Sequence, residues 1–448
     1  MKLRDYQIDL IARIHREMRT HRWVCAVMPT GAGKTLTGTE IVRRSVAKSK
    51  RIYWMAHRRE LIEQASLAFM QANIPHGLIA AQEPRTSHDV QICSVQTVGR
   101  RLDRIPVPDL VIFDECHHAR AGTWMKIIEK WKGCFCIGFT ATPIRLDGKG
   151  LAGIFESLVV GPSIRELIEM GFLSDYQHFQ RDLDMAGVKK IAGEYNRKEM
   201  AERVAEAHIV GDLMKEYERR GNGGQMLVFC PTVEYSKKFV GEVDGAAHID
   251  GTTPQHDRDM ILRQFRDKKI RILSNVELFT EGLDIPGVDV IGMLRPTQSL
   301  SLYLQMAGRG LRRAEGKEKC IILDHAGNYG RHRYICEDRD WKLLPDKKKK
   351  KQTDEWLPTC ESCFGVFRGK TCPYCGHVRV AKKEREIKEA KGSLVEIKKQ
   401  KEAKRRERAT ELNQLESLRD AVEYGKKKGY KPGWARYYWL SRRARGTV

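Results

Sequence analysis

The stretch Met28-Pro29-Thr30-Gly31-Ala32-Gly33-Lys34-Thr35 decides the fold. It follows the apolar run 23–28 and opens a segment of helical spacing over 36–47. A strand that turns through glycines into a helix presents backbone N–H groups and a positive helix end to phosphate oxygens. Gly31 and Gly33 permit that turn around Thr30 and Ala32, Lys34 is placed to reach β- and γ-phosphates, and Thr35 to ligate Mg²⁺. Met28 stands where the general pattern has its first glycine, yet Gly-Ala-Gly-Lys-Thr after a strand has little credible structural alternative.

Outward from this loop, short apolar runs alternate with helical patterns. Runs 51–56, 91–95, 110–113 and 134–139 read as buried strands, with helical spacing between them, as at 60–72. A second series begins near 225, with strands at 226–229, 247–249, 271–273, 288–293 and 320–323 and helices at 235–243, 258–266 and 301–311. The alternation predicts α/β domains with mostly parallel sheets covered on both faces. The expected division is 1–165, a connecting segment 166–220, 221–340, a cysteine module 352–380 and a basic helical tail 381–448.

A phosphate loop needs an acidic partner on another strand. Leu110-Val111-Ile112-Phe113 runs into Asp114-Glu115-Cys116-His117, which puts Asp114 in the Mg²⁺ shell and Glu115 where it orients or deprotonates water. The pair of motifs implies nucleotide hydrolysis.

At Asp114-Glu115-Cys116-His117 the chain resembles the DEAD/DEAH-box helicases of superfamily 2, with Cys116 where alanine is usual. The resemblance covers about residues 1–325 and implies two RecA-like domains sharing one ATP site. Leu3-Arg4-Asp5-Tyr6-Gln7 resembles the adenine-contacting segment, implying base contacts by Gln7 and Arg4. Ala56-His57-Arg58-Arg59-Glu60-Leu61, Ser94-Val95-Gln96-Thr97 and Val228-Phe229-Cys230-Pro231-Thr232 resemble segments that grip nucleic acid, implying contacts by His57, Arg58, Gln96, Thr97 and Thr232. Thr140-Ala141-Thr142-Pro143 resembles the motif that couples hydrolysis to movement. In Thr280-Glu281-Gly282-Leu283-Asp284-Ile285-Pro286 the resemblance puts Gly282 and Asp284 near the nucleotide and Thr280 on the strand. Gln305-Met306-Ala307-Gly308-Arg309-Gly310-Leu311-Arg312 resembles the family's last motif, where Gln305 lines the nucleotide site and Arg309 and Arg312 reach the γ-phosphate.

Twelve cysteines divide into two groups. Eight are scattered, several in apolar runs, and read as reduced core residues. The other four, Cys360-x2-Cys363, eight residues, then Cys372-x2-Cys375, form a ligand set for a structural Zn²⁺, with Gly365 and Gly376 permitting tight turns. Whether such a ribbon touches DNA or staples the domain is open.

Net charge is +23, and residues 341–448 hold 30 Lys/Arg against 14 Asp/Glu. A basic excess suits a polyanion, though a solvated charged face has the same composition. Near the end, Tyr430, Trp434, Tyr437, Tyr438 and Trp439 lie among basic residues, which suits base stacking and suits docking of a small helix. The four-cysteine module with this tail resembles RadD-type DNA repair ATPases and related phage-encoded DNA helicases. That resemblance implies single-stranded or branched DNA as partner, with a single-strand-binding or recombination protein as a further one, and a monomeric motor. An RNA helicase, a restriction-system motor and a zinc-bearing adaptor with an ATP-gated clamp are the competing readings; no nuclease carboxylate cluster is evident. No run approaches eighteen apolar residues and Met1-Lys2-Leu3-Arg4-Asp5 has no signal-peptide core, so a cytoplasmic setting in a bacterium or phage-infected cell is expected, with no membrane contact.

Overall fold

The structure is a computed structural model. It describes residues 2–344 apart from 85, 119–121, 145–149, 182, 192, 208 and 279–287, then 359–378 apart from 361, 368 and 369, and 410–443 apart from 413, 416, 431 and 432. The chain divides into two compact units, 1–379 and 380–448.

The first unit holds two parallel sheets. In chain order its first half runs α1 (Asp5–Glu17), β1 (Trp23–Val27), α2 (Lys34–Val46), β2 (Ile52–Ala56), α3 (Arg59–Gln71), β3 (Gly77–Ile79), β4 (Val90–Ser94), α4 (Val95–Arg101), β5 (Leu110–Phe113), α5 (Gly122–Lys130), β6 (Phe135–Thr140) and β7 (Ser157–Val160). These strands form a seven-stranded sheet in the order β3-β4-β2-β5-β6-β1-β7. Every residue of β1, β2 and β5 is buried, as expected of strands covered by helices on both faces.

The chain continues through α6 (Ile164–Glu169), β8 (Asp175–Gln180), a small hairpin of β9 (Lys190–Ile191) and β10 (Glu194–Tyr195), α7 (Arg197–Glu206), α8 (Ile209–Arg220), β11 (Met226–Phe229), α9 (Val233–Glu242), β12 (Ala246–Ile249), α10 (Gln255–Arg266), β13 (Ile272–Asn275), β14 (Val290–Met293), α11 (Leu300–Gly310), β15 (Lys319–Asp324) and α12 (Asn328–His332). The second sheet has six strands in the order β12-β13-β11-β14-β15-β8. Two parallel-sheet α/β domains of this kind are the RecA-like pair that the sequence predicts.

One expectation needs correcting. The segment 166–220 is not a plain connector, because β8 pairs in parallel with β15 from Asp175 to Gln180 and completes the second sheet. Its sequence, Asp-Tyr-Gln-His-Phe-Gln, lacks an apolar run because it is an edge strand.

The cysteine module lies against that edge. Gly365 bridges Phe179 antiparallel. The Gln180 N–H donates to the Phe364 carbonyl at 2.9 Å and the Val366 N–H to that of His178 at 3.0 Å. Arg220 lies 3.8 Å from the centre of the Phe179 ring and donates to the Cys363 carbonyl at 3.1 Å. After α12 the chain returns to the first domain, where the Leu343 carbonyl accepts from the Ala152 N–H at 3.0 Å.

The second unit contains α13 (Leu418–Lys427) and α14 (Trp434–Arg443). Trp434 stacks on Tyr438 with ring centres 5.1 Å apart and meets Tyr430 at 4.7 Å and Tyr424 at 5.9 Å. These contacts pack the rings of Tyr430, Trp434 and Tyr438 within a small helical hairpin. No described helix is long and apolar enough to cross a membrane.

Candidate ATP site and nucleic-acid interface

The phosphate loop leaves β1 with the Met28 N–H bonded to the Thr140 carbonyl at 2.9 Å. Gly31 and Gly33 adopt φ of +85° and +80°, and Gly33 caps α2 in the left-handed conformation. A Cβ on Gly33 would lie 2.5 Å from Gln7 Nε2, so with φ positive any side chain there is strained and displaces Gln7. Gln7 itself is buried and donates to the carbonyls of Ala32 at 3.3 Å and Gly33 at 3.4 Å. Its Oε1 accepts from the Arg4 N–H at 3.0 Å. Arg4 lies over the ring of Phe172 at 4.3 Å, and Tyr6 packs against the same ring. The adenine-segment residues are thus tied to the phosphate loop. Phe172 was not singled out in the sequence, since a lone aromatic in a charged stretch carries no periodic signal.

Asp114 and Glu115 are both buried at the end of β5. Glu115 has φ of +52°, an unfavourable left-handed conformation for this residue type. Its carboxylate faces Lys34, with Nζ 3.1 Å from Oε1. On its other side Oε2 lies 3.3 Å from His117 Nδ1, which is also 3.1 Å from Thr140 Oγ1. Thr140 in turn accepts from the Thr142 N–H at 3.1 Å. A continuous polar chain therefore runs from Lys34 through Glu115 and His117 to Thr140 and Thr142.

The second domain reaches this loop through α11. A Cβ on Gly308 would meet the Thr30 Cβ at 2.7 Å, so the two backbones approach as closely as a glycine allows. Arg312 Cγ lies 3.8 Å from the Cβ position of Gly31. Burial lowers the Arg312 guanidinium to about 10, which leaves it charged at neutral pH and poorly hydrated beside the loop. Arg309 is buried on the same helix. Gly171–Ser174 holds the turn after α11, with the Ser174 N–H on the Leu311 carbonyl at 2.8 Å and Arg313 on the Gly171 carbonyl at 2.6 Å. Thr30 Oγ1 and Gln305 Nε2 are buried with no hydrogen-bond partner among the described residues. Glycine-cleared space, two unused polar atoms and concentrated positive charge suit a polyphosphate.

The expected nucleic-acid contacts sit at the carboxyl ends of strands. Gln96 is exposed and donates to the His57 carbonyl at 3.2 Å, and the His57 and His118 rings lie 4.5 Å apart. Thr97, by contrast, is buried. Arg58 spans the two domains, donating to the Glu277 carbonyl at 2.8 Å, and Arg258 pairs across the same gap with Glu60 at 2.7 Å. Thr232 caps α9, accepting from the Tyr235 N–H at 3.2 Å. Thr280, Gly282 and Asp284 lie outside the described residues.

Residues 1–145 match the family model described as "Type III restriction enzyme, res subunit", and residues 207–314 match "Helicase conserved C-terminal domain". The chain is a superfamily 2 helicase. As such it is a nucleic-acid-dependent ATPase. A Lactococcus phage protein described as "51.5 kDa protein" is 30% identical to this helicase over 359 residues, covering 78% of this chain and 76% of its own. IRC3 of Saccharomyces cerevisiae, described as a candidate ATP-dependent helicase, is 28% identical over 355 residues, covering 72% of this chain and 51% of its own. The helicase thus spans three quarters of the phage relative but about half of the yeast one. The restriction-modification enzyme LlaBIII, solved bound to DNA, shares the fold with a TM-score of 0.55 at 20% identity, covering 72% of this chain and 27% of that one.

The four ribbon cysteines place their sulfurs within 4.8 Å of one another, with Cys360–Cys375 at 3.7 Å and Cys363–Cys372 at 3.4 Å. A tetrahedral zinc site with Zn–S near 2.3 Å has sulfurs about 3.8 Å apart, so the donor set fits. The two halves repeat one turn. The Phe364 N–H bonds the Cys360 carbonyl and the Gly376 N–H that of Cys372, each at 2.9 Å. The left-handed residue of the first turn is Phe364, with φ of +59°, and not the expected Gly365; the second uses Gly376 at +73°. Gly365 serves close packing instead, as a Cβ there would lie 2.2 Å from the Tyr374 ring. The eight scattered cysteines are all buried, as the sequence predicts.

Proposed function

We propose that this helicase uses ATP to move along or remodel single-stranded or branched DNA. The carrying observation is the contact of α11 with the phosphate loop, Gly308 against Thr30, which joins the two domains at one nucleotide site. In this reading Lys34 engages the β- and γ-phosphates. Glu115, released as the incoming phosphate draws Lys34 away, accepts a proton from the attacking water. Arg309 and Arg312 stabilise charge on the transferring γ-phosphate. Gln7 and Arg4 receive the adenine beside Phe172. Thr35 and Asp114 would hold Mg²⁺, which supplies electrostatic compensation for the triphosphate. Thr30 and Gln305 contribute their unused polar atoms.

The chain from Glu115 through His117 to Thr140 offers a route by which the protonation of the base alters the strand-end loops. His57, Arg58 and Gln96 contact the strand on the first domain, and Thr232 presents the loop capping α9 on the second. Thr97, being buried, acts by holding that loop rather than by touching nucleic acid. Cys360, Cys363, Cys372 and Cys375 would hold a structural Zn²⁺, which supplies folding energy to the ribbon. Support for DNA comes from the basic excess after residue 341, and from the DNA bound to LlaBIII. A role in repair or recombination follows from the sequence resemblance of module and tail.

The test is ATP turnover by the full chain with single-stranded DNA, forked DNA and RNA, scored together with strand displacement. Stimulation by DNA forks above RNA is expected; a preference for RNA would transfer the reading to an RNA helicase. The shared site also predicts that Gly308→Ala, by forcing α11 off Thr30, lowers kcat for ATP by about 10²-fold. Undiminished turnover would show that closure of this contact is not required.

A further inference from the structure

Away from the candidate ATP site, the seam between ribbon and second domain forms an open-mouthed cavity of about 140 Å³, room for one small planar group and not for a larger ligand. Its walls come from Phe179, Gln180 and Arg181 at the end of β8, His325 at the end of β15, Lys215 on α8, and Phe364 of the ribbon. All strands of this sheet run parallel, so the cavity shares a rim with Thr232 beyond β11. That rim is where ligands of open parallel sheets bind.

Two observations mark the cavity as built for an occupant. His325 is 6% exposed, and its Nδ1 has no hydrogen-bond partner among the described residues. An imidazole buried this way carries a desolvation cost that a bound donor or acceptor relieves. Phe364 is the second. The equivalent position of the sister turn is Gly376, the residue that a positive φ favours, yet the chain keeps a phenylalanine there at φ of +59°. The residue is 43% exposed, so burial does not account for it. The wall carboxylates, Asp212 and Glu216, are paired with Arg181 and Arg220, which limits their repulsion of an anion at the mouth.

We infer that this cavity receives one unstacked nucleobase, with Phe364 stacking on its face, His325 bonding its edge, and Lys215 and Arg181 flanking its phosphate. The inference rests on the reading of the chain as a motor on nucleic acid and adds a base-sized station on the second domain. A base on a single strand and a free nucleotide share this chemistry.

Phe364→Gly separates the inference from folding, since glycine suits the backbone at that position. The full chain and this variant are titrated with single-stranded oligonucleotides carrying 2-aminopurine at successive positions, and with free AMP. The variant is expected to keep its zinc equivalent and a Tm at or above the parent's, to lose about tenfold or more in oligonucleotide affinity, and to lose 2-aminopurine quenching at one position. His325→Ala is expected to weaken the same position. Loss confined to AMP would assign the cavity to a free nucleotide. Parent binding with unchanged affinity and quenching in both variants would overturn the cavity alone. Absence of any oligonucleotide binding by the parent would overturn the motor reading and the strand-bound station together.

Discussion

Replacing Lys34 with alanine is expected to cut ATP turnover by at least about 10²- to 10³-fold while nucleic-acid binding persists. The reason is local. Lys34 opens α2 directly after the glycine turn, where the proposed reading puts the β- and γ-phosphates. The substitution also has a structural cost. Lys34 and Glu115 are 12% and 8% exposed at the side chain and face each other at 3.1 Å. Removing one member of a buried pair leaves the other charge uncompensated, at about 3–5 kcal/mol when no other partner helps. His117, 3.3 Å from the same carboxylate, reduces that cost. Lys34→Ala is therefore expected to melt earlier than the parent. The double variant Lys34→Ala/Glu115→Gln should recover much of the Tm because no buried charge is stranded, and yet remain inactive. Glu115→Gln alone is expected to lower kcat by about 10²- to 10⁴-fold through loss of the base. ATPase assays and melting curves on the three variants test both halves of the argument. Normal turnover in Lys34→Ala would show that the phosphate loop has been misassigned.

The second large effect is expected from Cys360→Ser/Cys363→Ser. Four sulfurs lie within 4.8 Å of one another at the centre of the ribbon, and among the described residues their apolar cluster adds only Phe367 and a partly buried Tyr374. Metal binding to structural cysteine sites is worth about 10–16 kcal/mol of apparent folding energy, so the ribbon is expected to unfold without it. The RecA-like domains have large buried cores distinct from the ribbon's own small cluster and are expected to survive, with the second destabilised by roughly 2 kcal/mol through loss of the two bonds that Gln180 and Val366 make across the edge. Atomic absorption should register one zinc equivalent fewer per chain, and calorimetry a lower transition for one domain. Unchanged metal content would rule out the ribbon as the binding site.

The interior of both sheets was legible in the sequence, and the edges largely were not. Fully buried strands such as β1, β2 and β5 are apolar along their whole length, so position alone reveals them. Three of the four sheet edges, β3, β7 and β8, were missed. An edge strand is buried less completely, and its hydrogen bonding is settled by a partner distant in sequence. The meeting of Lys34 with Glu115 was legible because a phosphate loop and an acidic strand end are each written at short spacing. What spacing could not reveal was which residues serve the neighbouring turn. Thr232 caps a helix, Thr97 is buried, and Phe172 supplies a ring under Arg4. The contact of Arg4 with Phe172 depends on a chain crossing more than a hundred residues apart, whereas the Thr232 cap is local, between residues three apart.

The ribbon's place on β8 has a consequence for synthesis on the ribosome. β8 ends at Gln180, its inner neighbour β15 ends at Asp324, and the ribbon that shields its outer side extends to about residue 378. Through the interval between them the nascent strand carries bare N–H and C=O groups, a template for pairing with other chains. The outer side of β8 stays bare until nearly two hundred further residues have emerged, and for longer while the ribbon cysteines await the proposed metal. Metal starvation is therefore expected to show first as insoluble newly made protein, before any loss of activity in molecules already folded.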